Sequence, residues 1–434
     1  MKKICKILVC FMLVFCTMFA FAACDKINWS KTTNDTSSVL SNGGVITVRD
    51  GYMYFVNGTK TNDGKGNKGN IVQSAIYKVA VDAEQNIVEG ATYEKVVNAL
   101  VGFKNGSIYA FGDYIYYTTP CNDVNKNAGV LFDKTEFRRY DLVNHESQLI
   151  YTTKVSKENF NFSYYKQGDG LYLLVHEEGS TKTLRSIKID TEMKTVFVKT
   201  SVQSTMFSKD GGTATGANSY AYYTLPADTT SEFMTGVRVY KILPNGTDNV
   251  KISEGKAVTL DSVVGNKLIY LYDTTYYFAE IVEGEQTITF DFNVVTANKY
   301  DTMLINDDLS VLVLDGNILR KIKYENGQRV VDKQIYLVGT KIKIVGMYDE
   351  TYLVYISSDK VYKIDVVSDT SVKPIGISAT TLATIEDGSR MLPEIVGDYL
   401  YGFSKEKSSS VIYMYRFALD VEEEKDAERI GVVE

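Results

Sequence analysis

A short aromatic strand set behind a glycine or acidic turn recurs eight times along this chain, and such recurrence leaves few folds open. The copies start at Tyr52, Tyr114, Leu171, Tyr220, Leu268, Leu309, Tyr352 and Tyr399. They read, for example, Asp50-Gly51-Tyr52-Met53-Tyr54-Phe55, Gly112-Asp113-Tyr114-Ile115-Tyr116-Tyr117 and Gly397-Asp398-Tyr399-Leu400-Tyr401. Successive copies lie 62, 57, 49, 48, 41, 43 and 47 residues apart.

Within each unit a second strand alternates apolar and basic residues: Ile76-Tyr77-Lys78-Val79, Arg138-Arg139-Tyr140-Asp141, Val239-Tyr240-Lys241-Ile242, Val361-Tyr362-Lys363-Ile364-Asp365 and Ile412-Tyr413-Met414-Tyr415-Arg416. Period two with aromatic and β-branched residues means half-buried strand. The aromatic strand is expected nearer the middle of its sheet and the basic strand nearer the outside, joined by a hairpin. Asp315-Gly316 and Asn326-Gly327 provide turns in which glycine takes the positive backbone angle a tight hairpin requires. After residue 24 no window carries a helical stripe. Eight units of about four strands exceed one sandwich, and a flat meander would leave long open edges; radial closure removes both difficulties. The expectation is an all-β chain with a single β-propeller over residues 45–434, eight blades first and seven second. Val45-Ile46-Thr47-Val48 is expected to complete the last blade by pairing with Arg429-Ile430-Gly431-Val432-Val433. Two stacked sandwiches or a β-solenoid are the competing architectures.

The N-terminus sets the compartment. Lys2, Lys3 and Lys6 precede an apolar run from Ile7 to Phe21, shorter than the roughly 20 residues of a full span. The run ends in Phe21-Ala22-Ala23-Cys24, which resembles the lipobox of bacterial lipoproteins, with Phe21 where Leu is usual. That resemblance implies a signal peptide over 1–23, cleavage before Cys24 and lipidation of the Cys24 sulfur. Ala20-Phe21-Ala22 offers the alternative of ordinary secretion without lipid. Residues 24–44 are polar, contain the lone Trp29, and read as a tether. Cys5, Cys10 and Cys16 leave with the signal, so the mature chain keeps Cys24 and Cys121 and needs no disulfide. Cys121 reads as an inert small side chain.

Loss of three signal lysines from 47 Lys and Arg leaves 44 against 54 Asp and Glu, a net charge of about -10. Such a body does not suit nucleic acid, which requires a basic face. Chemistry is sparsely provided for. The two histidines, His145 and His176, fall in no metal or nucleophile motif, and His176 reads as a surface residue where a strand runs into a turn. The run Glu422-Glu423-Glu424-Lys425-Asp426 reads as a solvated turn, and the Gly-rich stretch Asp63 to Gly69 as an insertion between strands. Ser208-Lys209-Asp210-Gly211-Gly212 resembles the start of a sialidase Asp-box but breaks off at Ala214, and it occurs once. No catalytic, cofactor or metal residues are assigned. Most of the 32 tyrosines occupy fixed strand positions, as blade packing requires.

In the order of its parts the chain resembles the bacterial extracytoplasmic lipoproteins that carry a Tyr-rich propeller body. The resemblance implies a protein anchored through Cys24 on the outer side of the cell membrane; the sparse provision for chemistry makes non-catalytic binding of a protein, peptide or envelope glycan the expected function. The alternative is a polymer-cleaving hydrolase or lyase working through carboxylates and tyrosines in the propeller channel.

Overall fold

The computed structural model describes residues 44–432 except 60–68, 102–106, 122–123, 126–128, 131–133, 156–158, 209–218, 228–235, 256–257, 265–266, 273–274, 281–288, 297–301, 306–309, 326–327, 350, 358–359, 369–374, 379–392, 406–411 and 422–424. The described residues form an all-β, propeller-like body of eight four-stranded antiparallel sheets that follow one another along the chain. The sheets run from Ile46 to Val97, Ile108 to Thr152, Phe160 to Thr200, Thr205 to Gly255, Val258 to Thr296, Thr302 to Tyr336, Lys343 to Ser378 and Glu394 to Ile430. In each, strands pair in chain order. The second sheet also carries a small hairpin, Val124–Asn125 with Gly129–Val130, between its second and third strands.

The repeated aromatic strand is the second of its sheet and the basic strand the third, as the sequence pattern requires. Their register sets a tyrosine opposite a cation: Tyr54 faces Lys78, Tyr116 faces Arg139, Tyr222 faces Lys241 and Tyr401 faces Arg416. In the first six sheets the pairing of third and fourth strands slips by a residue, as between Ile76 and Tyr77 or Val239 and Tyr240. Such bulges add twist and make the outer edge a poor template for foreign strands.

Side chains from facing sheets form the core. Phe137 and Phe162 pack edge to face at 4.8 Å between the second and third sheets. Leu184, Tyr165 and Tyr223 join the third to the fourth, Leu319 and Tyr355 the sixth to the seventh, and Val361 and Leu400 the seventh to the eighth. One cluster contains Phe403 and Met414 of the eighth sheet, Phe55 and Ile76 of the first, and Ile115 and Tyr117 of the second. The last sheet therefore packs on the first.

That junction differs from the expected one. Val45 to Val48 do not pair with residues 429–433. Ile46 faces Phe55 and Arg49 faces Tyr52 inside the first sheet, while Glu428–Ile430 pairs with Met414, Tyr415 and Arg416 in the eighth. The physical reason is local. Asp50 and Gly51 take φ of 52° and 74°, the angles of a two-residue hairpin turn, so the first strand reaches its neighbour across two residues. Pairing with residue 430 would close a loop of nearly the whole body, at greater entropic cost. The two sheets meet instead through the Asn57 side chain and one backbone bridge: Asn57 accepts from the Val432 amide at 3.0 Å and donates to its carbonyl at 2.9 Å, and the Thr59 amide donates to the Ile412 carbonyl at 2.8 Å.

Candidate functional site

The tyrosines and cations that the register aligns form a repeated clasp. The third-strand cation lies over the tyrosine that opens or immediately precedes the second strand: Lys78 over Tyr52 at 4.7 Å, Arg139 over Tyr114 at 4.8 Å, Lys241 over Tyr220 at 4.3 Å, Lys363 over Tyr352 at 4.9 Å and Arg416 over Tyr399 at 4.4 Å. A stack of this kind contributes roughly 0.5–2 kcal/mol, more as it is desolvated. Four of the five cations are buried. Arg139 is fully so, and it donates to Gln148 Oε1 at 2.7 and 2.9 Å and to the Asp190 carbonyl of the next sheet at 3.1 Å. Lys363 likewise reaches the Leu419 and Val421 carbonyls of the eighth sheet. Arg416 binds Glu428 Oε2 through Nε and Nη2, both at 2.6 Å. Beside it, burial raises the Tyr401 hydroxyl to about 12, opposed by the Arg416 charge. Arg139 and Lys363 thus tie neighbouring sheets together, whereas Arg416 is paired within the eighth sheet.

At the same end of the sheets, third strands finish in an aspartate that caps the following turn. Asp141 Oδ1 accepts the Val143 and Asn144 amides, Asp190 Oδ1 those of Glu192 and Met193, and Asp365 Oδ1 those of Val367 and Ser368. The side-chain oxygen satisfies the turn amides directly. The Lys188-Ile189-Asp190 and Lys363-Ile364-Asp365 signatures in the sequence mark these caps.

The opposite end is built otherwise. Connections between second and third strands span 57–75, 121–134, 179–181, 227–236, 273–274, 316–317, 358–359 and 406–411. They range from two residues to nineteen on equivalent strands. Near this end Glu177, buried, accepts Tyr151 Oη at 2.8 Å and the Lys154 amide at 2.6 Å, with Arg185 Nη2 at 3.7 Å. Burial first, and then the Glu177 charge, push the Tyr151 hydroxyl far up. Glu136, also buried, pairs with Arg138 at 2.6 Å. This cluster joins the second sheet to the third and was not legible in the sequence, because its members come from five different strands or links.

The expected site residues are placed as follows. Cys24, Trp29 and the expected export signal, residues 1–23, lie outside the described residues, as do Asp63 to Lys68, Lys209 to Gly212 and Glu422 to Glu424. Cys121 is fully buried and carries no disulfide. His145 is exposed in a turn at φ 59°. His176 is a correction: it is buried, not a surface residue, and its Nε2 lies 3.3 Å from the Val202 carbonyl. The link after the third sheet folds back over it, which no local pattern announces. Among the described residues no group of three or more His, Cys, Asp or Glu is placed to hold a metal ion, and no helix is long and apolar enough to cross a membrane.

No protein-family model matches the chain, and no curated protein does. Solved structures with a similar trace include apo AztD from Citrobacter koseri, 11% identical with a TM-score of 0.45 over 88% of this chain and 99% of that one. An oligogalacturonate lyase from Vibrio parahaemolyticus is 12% identical with a TM-score of 0.37, over 88% of this chain and 92% of that one. A post-proline cleaving enzyme from Rickettsia typhi is 10% identical with a TM-score of 0.41, over 90% of this chain and 59% of that one.

Proposed function

We propose that this protein is a membrane-anchored extracytoplasmic lipoprotein whose body, a closed propeller of eight blades, binds a protein, peptide or envelope glycan without transforming it. The observation that carries the reading is the contrast between a constant frame and unequal connections at one end of it. Equivalent strands are joined there by two residues in three sheets, but by 57–75 in the first, 121–134 in the second and 227–236 in the fourth. A rigid repeat holding long, dissimilar loops at one end is how scaffolds generally present recognition surfaces. Arg139, Lys363, Glu177 and Tyr151 support it from the other side, since they are engaged in joining neighbouring sheets. Anchoring rests on Cys24 and the apolar run before it.

Immobilised body, residues 45–434, is expected to retain a partner from solubilised membranes or an envelope glycan fraction, and to lose it when 57–75 and 227–236 are replaced by two-residue turns. A Cys24→Ala strain should release the protein from membranes. Cleavage of an envelope polymer by the purified body, with nothing retained, overturns the binding reading.

A further inference from the structure

Strands run up and down in every sheet, so connections fall into two sets, one at each end of the body. Among the described residues, the set between first and second and between third and fourth strands holds 14 Asp and Glu against Lys194 and Lys425. Among the described residues, the set between second and third strands and between sheets holds no Asp or Glu, and carries Lys134, Lys154 and Lys341. Asp50, Asp113, Asp169, Asp248, Asp349 and Asp398 are exposed at the acidic end, one in each of six sheets. The clasp cations stand behind them, five in number and four of them buried, and they leave the outer layer strongly negative.

The second observation is independent of charge. The chain enters the body at Gly44, whose carbonyl accepts the Ile108 amide of the second sheet at 2.8 Å. Next to it Glu394 Oε1 of the eighth sheet lies 3.3 and 3.1 Å from the Val45 and Ile46 amides. A Cβ at Gly44 would fall 1.5 Å from Glu394 Oε2, so any side chain there would displace that carboxylate. Ile46 begins the first strand and Asp50 ends it at the acidic turns; the N-terminal segment therefore leaves from the opposite, near-neutral end.

We propose that the body is electrostatically oriented on the membrane, its near-neutral, long-loop end toward the bilayer and its acidic end away from it. This rests on lipidation of Cys24. The 20 residues 24–43 reach at most about 70 Å, enough for the body to turn over, so attachment alone does not select a face. Charge does. Anionic lipid gives the bilayer surface a negative potential that repels acidic groups within a Debye length of about 8–10 Å, and the long-loop end has no such net repulsion. The ends of the second and third strands that carry the connections then face the membrane surface, and the partner is a protein held in or on that membrane.

The test uses the lipidated full chain on vesicles containing phosphatidylglycerol and an acceptor-labelled headgroup lipid. A donor dye is placed by Ser180→Cys at the loop end of the third sheet, or by Thr191→Cys at its acidic end; both positions are exposed. The unsubstituted chain is the blank, since Cys121 is buried. Energy transfer is expected to be several-fold greater from position 180 than from 191, with the ratio falling toward one in 1 M salt or on uncharged phosphatidylcholine. Equal or reversed transfer on anionic vesicles, from protein that floats with them, overturns the orientation while leaving lipidation standing. Protein that fails to float overturns both.

Discussion

The single residue whose environment departs furthest from its local sequence is His176. Burial holds its pKa below the usual histidine value, partly offset by the Val202 carbonyl and Glu178. The sign follows directly. The folded protein binds the proton less readily than the unfolded chain, so the stability from neutral His176 is fully present above about pH 6.5 and is lost as pH falls through that value toward the depressed folded pKa. Thermal melting should therefore drop between pH 7.5 and 5.5, and a His176→Gln variant should show a smaller drop across that window. An equal drop in both would assign the loss to other groups. Gly58 and Gly431 give a second residue-level test. Their φ values are 65° and 99°, and an added Cβ would lie 2.3 Å from the Ile412 carbonyl oxygen in one case and 2.0 Å from Asn57 Oδ1 in the other. Either glycine changed to alanine should cost about 2–3 kcal/mol in urea unfolding, whereas Gly69→Ala, with φ 78° but open space, should cost about 1 kcal/mol or less.

At the scale of the strand pair, the clasp is legible in sequence because it is written twice: a tyrosine opening one strand and a cation in the next. Only the register shows that the ring and charge meet diagonally while a second residue faces the cation directly. The clasps are not equivalent. Arg139→Met removes two bonds to Gln148, one to Asp190 and the stack on Tyr114, and should cost about 2–4 kcal/mol by chemical denaturation. Lys78→Met removes a stack on Tyr52 and a partly exposed pair with Glu94 at 3.0 Å, and should cost under about 1 kcal/mol. Similar losses at both positions would mean that the link to the neighbouring sheet contributes nothing. The fifth sheet departs from the expectation of a basic strand in each unit, since its third strand, Thr275–Glu280, contains no lysine or arginine. Its place was marked only by the spacing around it.

For the whole molecule, the junction of first and eighth sheets is the point on which closure depends. Asn57→Ala deletes both bonds to Val432 and one to the Val72 carbonyl. It should lower stability by about 2–3 kcal/mol, and amide exchange should quicken at Thr59 and in residues 428–430 and 46–49 before it quickens in the fourth sheet. Uniform acceleration would mean that closure is not separable from global unfolding.

Local chemistry determined the strands themselves, their order within sheets and the turns between them, because period-two alternation and two-residue glycine turns act over a few residues. The lipobox-like stretch that ends at Cys24, on which the proposed anchoring rests, is likewise written in contiguous residues. Tertiary structure decided what needs distant segments to meet: the pairing of Val45 to Val48 within their own sheet, the burial of His176 under the 201–204 link, the gathering of Glu177 with Tyr151 and Arg185, and the division of an acidic chain into one strongly negative end and one near neutral. The reason is common to all four. A repeat specifies each unit alike, whereas the neighbours of a unit, and the side on which its connections emerge, are set only when the sheets pack.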